Sequence, residues 1–200
     1  MSENLPFSSH SILTEEAFLQ VENETRQWLE RAVIGLNLCP FAKGVLIKGQ
    51  IHFTVSQSTG AEGLLQDLER ELLQLMATAS EVRDTTLLMA PLCLQEFLDF
   101  NDFLVLADRL LSSMRLEGEL QIASFHPDFQ FAGTDKDDVT NCTNRSPYPT
   151  LHLLRESSID RAVQAFPDAE MIFEENKKTL ESMGFEGWQA LGMLRGKIGP

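Results

Sequence analysis

Between Gln50 and Phe125 the hydrophobic pattern switches back and forth between a period of two and a helical period. Ile51, Phe53 and Val55 alternate with polar residues, as in a strand with one buried and one wetter face. Thr59 to Ala79 carries Leu64, Leu65, Leu68, Leu72, Leu75 and Met76 at helical spacing behind a Thr59–Glu62 capping box. Thr85 to Ala90 is a near-continuous apolar run closed by Pro91, which reads as a central strand. Leu94 to Met114 reads as a second long helix, and Glu119 to Phe125 as a third strand. Strands separated by helices need crossover connections, right-handed where the strands are parallel. The pattern predicts an α/β (or α+β) fold: a small three- to four-stranded sheet with helical crossovers. The arm near Val45 to Ile47 is the candidate for the fourth strand.

Helices are expected on both sides of this unit. Thr14 to Leu36 places Phe18, Val21, Trp28, Leu29 and Val33 on one stripe, with Thr14 as cap and Gly35, Asn37 and Pro40 as stop signals. Ser146 to Phe166 reads as a helix capped by Ser146, with Pro147 at its first position. Asp168 to Met183 reads as another, capped by Asp168 and ended by Gly184. One domain over residues 1–184 is expected, with residues 185–200 as a loosely docked, glycine-rich tail.

Composition narrows the environment. The first residues, MSENLPFSSH, have neither a basic nor an apolar signal region, and no apolar run approaches the length of a membrane span. Three cysteines without pattern suggest free thiols in a reducing compartment, so the expected location is cytoplasmic. The net charge of −14 makes nucleic acid and anionic membrane poor partners.

The residues with chemical potential gather after the third strand. From His126 to Arg145 the chain loses all periodicity, and so long a structureless loop inside a domain is usually functional or disordered. Phe125, Phe129, Phe131 and Tyr148 argue for order. His126 and Asp128 flank Pro127 at a strand end, where ligands of open α/β sheets bind, and form a candidate base and orienting pair. Asn144, Arg145 and Ser146 precede the expected helix, whose free N–H groups would attract an anion. His152 and Arg155, three apart, would share a face of that helix. No acidic residue occurs between Val139 and Arg155, a local reversal in an acidic chain. Cys39 is a candidate nucleophile for His126 or His152, brought over the sheet by an extended arm that also offers Lys43. Asp135, Asp137 and Asp138 lack the glycine and glutamate of a calcium loop, and the cysteines and histidines lack paired zinc spacing, so no metal site is expected.

These residues fit three readings. In the first, a small enzyme acts on an anionic molecule, phosphorylated or carboxylated, held by Asn144, Arg145, Ser146, Arg155 and Lys43. His126, His152, Cys39 and Asp128 would then do the chemistry. In the second, the same pocket binds the anion without turning it over. In the third, the loop is a structural plug and the acidic surface meets a partner.

The strings GLNLCPFAK (Gly35 to Lys43), SFHPDFQFAGT (Ser124 to Thr134) and NRSPYPTLHLLRE (Asn144 to Glu156) resemble a bacterial protein family catalogued as domain of unknown function 1415. The resemblance runs from the first helix to Gly184. It implies a soluble bacterial cytoplasmic protein and brings no catalytic residue with it.

Overall fold

The alternating segments become β1 (Ile51–Val55), β2 (Thr85–Met89) and β3 (Leu120–Phe125), joined by α3 (Ala61–Ala77) and α4 (Phe97–Ser113). The structure is a computed structural model that describes residues 13–165, 171–192 and 196. The expected cap at Asp168 therefore lies outside the described residues, as does the end of the expected helix at Phe166. The fold is mixed α/β, with a four-stranded sheet ordered β1-β2-β4-β3. β1 and β2 are parallel, and β4 (Thr150–Arg155) runs antiparallel to both β2 and β3. Thus β1, β2 and β3 point one way, with β4 inserted against them.

The fourth strand corrects two expectations. The arm near Val45 to Ile47 is a short helix, α2 (Ala42–Ile47), and not a strand. The segment after Ser146 is not a helix start but the approach to β4, and helix α5 begins only at Glu156 and runs to Ala165. The reason is steric. Ser146 precedes Pro147 and Tyr148 precedes Pro149, and a residue before proline is pushed to extended geometry. The missing acids between Val139 and Arg155 also have a structural cause. Thr140 to Cys142, Ser146 to Leu151 and Leu153 are buried, where unpaired carboxylates are excluded.

Strand periodicity divides the sheet residues between two cores. Phe53, Leu87, His152 and Ala123 stand in one row on one face, because direct cross-strand partners share a side. This face is covered by α1 (Glu15–Trp28), the π-helical turn Leu29–Ile34 and α6 (Ile172–Ala190). The other face carries Leu88, Leu151 and Leu153 against the leucine stripes of α3 and the phenylalanines of α4. Inside α6, Gly184 has φ +65°, a break that only glycine adopts without strain. Beyond it Trp188 is buried in the first core, and Phe185 lies under the Arg145 guanidinium at 5.6 Å.

The long loop is ordered. Asn141 organises it: its Oδ1 accepts from Phe131 N and Thr134 Oγ1, and its Nδ2 donates to the Asp135 carbonyl. Asp138 caps the short 3-10 helix Val139–Asn144. Phe97, Phe129, Phe131 and Phe173 stack in a chain of edge and tilted contacts that ties the loop to α4 and α6.

Candidate functional site

The expected site residues separate into two groups, one at each end of the sheet. At the carboxyl end of β3, His126 is fully buried between Phe97 and Phe100. Its Nδ1 accepts from the Asp128 backbone N–H at 3.0 Å, so its Nε2–H donates to the Leu94 carbonyl at 3.1 Å. Both ring nitrogens are committed to backbone, and the ring holds loop and helix together. Asn144 Nδ2 donates to the Ser124 carbonyl, closing the loop onto β3. Arg145 donates to the Phe129 and Lys136 carbonyls. The Ser146 hydroxyl donates to the Tyr148 carbonyl in a turn, and caps no helix.

Arg155 sits at the far end of β4. Its guanidinium donates to the carbonyls of Leu75, Thr78 and Arg83, where α3 ends and the chain turns into β2. Arg145 and Arg155 therefore do not share a concavity, and His152 and Arg155, on a strand, point to opposite faces. The anion cradle expected from a helix at Ser146 is not assembled.

A cavity of about 950 Å³ opens instead over the face shared by His152 and Leu87. Its inner wall is apolar and aromatic. Trp28 and Phe125 meet edge to face at 5.1 Å, and Phe125 leans on His152 at 6.2 Å. Leu29 and Val33 reach it from the π-helical turn, a widening often found at functional sites. Gly35 ends that turn, where an added Cβ would collide with the Arg31 carbonyl oxygen. Cys39, Pro40, Phe41 and Ala42 form another side. Lys48, Glu81, Asp84 and Arg161 supply the charged groups, and Arg155 borders the cavity with its guanidinium turned to the end of α3. Arg161 is tethered, donating to Ser158 Oγ at 2.8 Å and lying 3.7 Å from Asp84. Lys43 is exposed on α2 and does not line the cavity; Lys48, one turn on, does.

Two of the expected chemical residues thus meet on one cavity. His152 Nε2 is 2.7 Å from Thr85 Oγ1, and that hydroxyl donates to the Leu153 carbonyl at 2.6 Å. Enclosure by protein pushes the His152 pKa down to about 4, so the ring is neutral at pH 7. Burial also raises the Cys39 thiol, with backbone N–H groups of Phe41 and Ala42 partly offsetting it. The other thiols, Cys93 and Cys142, are buried and pushed up to about 11. Among the described residues no group of three or more His, Cys, Asp or Glu side chains can hold a metal ion, and no helix is long and apolar enough to cross a membrane.

A family model covers residues 20–190, nearly all of this architecture from α1 to the end of α6. The chain belongs to the family described as Protein of unknown function (DUF1415). No curated protein and no solved structure matches it significantly. The matched span includes Cys39, Lys48, Thr85, His152 and Arg161, so every part of the cavity named above lies within the family region. Thr85, Lys48 and Arg161 were not legible as site residues. Nothing in the local pattern sets them apart, and only the sheet register and the placement of α2 and α5 bring them together.

Proposed function

We propose that the cavity is the working site and that it binds a small molecule with an apolar body and an anionic end. The observation that carries this reading is the cavity itself: aromatic and aliphatic walls, a few polar groups, and the size range of small-molecule sites. The anionic end is supported by charge. Lys48 and Arg161 offset Glu81 and Asp84 there, a local relief in a chain of 30 acidic and 16 basic residues. Arg155 and Arg161 already have partners, so Lys48 is the cation best placed to meet a carboxylate or phosphate group.

An enzymatic version has one specific observation in its favour, the presence of Cys39 and His152 on the same cavity. Against it, the imidazole is neutral and the thiol is raised, so the resting site holds no thiolate–imidazolium pair. Binding without turnover is the better-supported reading. Native mass spectrometry of freshly purified protein tests it. A retained small acid is expected in the wild type and not in Ala42→Trp, which fills the α2 side of the cavity. Equal retention in both would count against the cavity. Turnover of the retained acid, abolished by Cys39→Ser, would move the reading to the enzyme.

A further inference from the structure

We infer that the ligand of this cavity carries a hydrogen-bond donor, a hydroxyl or amine, at its inner end, and that His152 Nδ1 receives it. The inference deepens the binding reading above and rests on it. It follows from hydrogen-bond bookkeeping. Thr85 and His152 are diagonal neighbours on the same face of adjacent strands, within side-chain reach. The Thr85 hydroxyl has one proton, and it goes to the Leu153 carbonyl at 2.6 Å. At 2.7 Å from His152 Nε2, the Thr85 oxygen must therefore accept, and Nε2 must carry the hydrogen. A neutral imidazole has one N–H and one lone pair, so Nδ1 is left as acceptor.

Nδ1 makes no hydrogen bond among the described residues. It is also not among their fully buried unpartnered atoms, of which Arg155 Nε is the example. Since His152 lines the cavity, the surface that Nδ1 offers is a cavity surface. The strand pair thus locks a single tautomer and presents one acceptor in a wall of Trp28, Phe125 and Leu87. A ligand that reaches this wall with a bare hydrocarbon end leaves the acceptor dry, which costs binding energy. One that brings an O–H or N–H satisfies it. Joined to Lys48, the ligand class is a hydroxylated or aminated apolar acid.

Two probe acids and one spectrum decide it. In the free protein, isotope-labelled histidine NMR at neutral pH is expected to show His152 as the Nε2–H tautomer. Thr85→Val, which removes the lock, should admit the other tautomer. para-Hydroxyphenylacetate should bind about five- to tenfold more tightly than phenylacetate. The preference should disappear in His152→Leu and narrow in Thr85→Val, which keeps the test open if the first variant fails to fold. An Nδ1–H tautomer, or equal affinity for the two acids in the wild type, overturns the inference while leaving the cavity as a binding site. If neither acid binds, the anionic-ligand reading fails and the inference falls with it.

Discussion

The two faces of the sheet are packed by different means. On the α3 and α4 side, Leu64, Leu68, Leu72, Leu75, Phe100, Leu151 and Leu153 are all completely buried. Both covering helices are regular, seventeen residues long, and each brings a continuous apolar stripe. The opposite face is covered by pieces from both ends of the chain: α1, a π-helical turn, the six-residue α2, and the kinked α6. Their axes are interrupted, and the cavity lies among them. Regular crossover helices can fill a sheet face to close-packed density; assembled fragments leave room. The contrast puts the tightly filled core on one face and the proposed ligand cavity on the other.

The comparison can be broken most strongly at the packed side. Glu71 and Arg83 form a buried ion pair there, with Arg83 also donating to Thr86 Oγ1 and Gln74 Oε1. Glu71→Ala leaves the guanidinium without its counter-charge and should cost roughly 3–5 kcal/mol by chemical denaturation. The double change Glu71→Leu with Arg83→Met should recover most of that. Next in size, Leu68→Ala should cost about 2–5 kcal/mol, because the close-packed face collapses poorly around a void. Leu154→Ala on the cavity wall should cost less than about 1.5 kcal/mol, since Leu154 is half-buried beside existing space. Equal losses at the two positions would mean that the faces are packed alike.

A pH experiment isolates His152. Its folded-state pKa of about 4 lies below the ordinary 6.5, so the unfolded chain takes up the proton first. The contribution is fully present above about pH 6.5, declines as pH falls toward 4, and is flat below that. At about 1.4 kcal/mol per pH unit the span is at most roughly 3–4 kcal/mol. His152→Gln should flatten this part of the stability profile relative to wild type. An unchanged slope would place the acid sensitivity elsewhere.

The smallest effect is kinetic. Cys39 should be alkylated first of the three thiols, being half-buried on the cavity while Cys93 and Cys142 are buried. Its rate at neutral pH should still fall below that of a free cysteine, because burial holds its thiol above the usual range. A bound apolar acid should slow it further. Protection of Cys93 instead would put the ligand on the packed face.

Much of this was written in local pattern. Period-two and helical runs placed β1, β2, β3, α3 and α4, and so the crossover topology, because those segments meet the core along a single regular face. The prolines at 147 and 149 also carried the warning against a helix at Ser146, through the backbone clash each imposes on the residue before it. What no local pattern contained was the insertion of Thr150–Arg155 between β2 and β3. Leucine-rich TLHLLR is compatible with helix or strand, and only the unpaired edges of two distant strands decided for the sheet. That decision settled the histidines. His126, at the expected strand end, has both nitrogens taken by backbone. His152, expected on a helix, stands in a sheet row beside Leu87 and opens one nitrogen to a cavity. The sequence by itself determined which segments bury an apolar face. The tertiary structure determined which polar atoms were left over, since that depends on partners far apart in the chain.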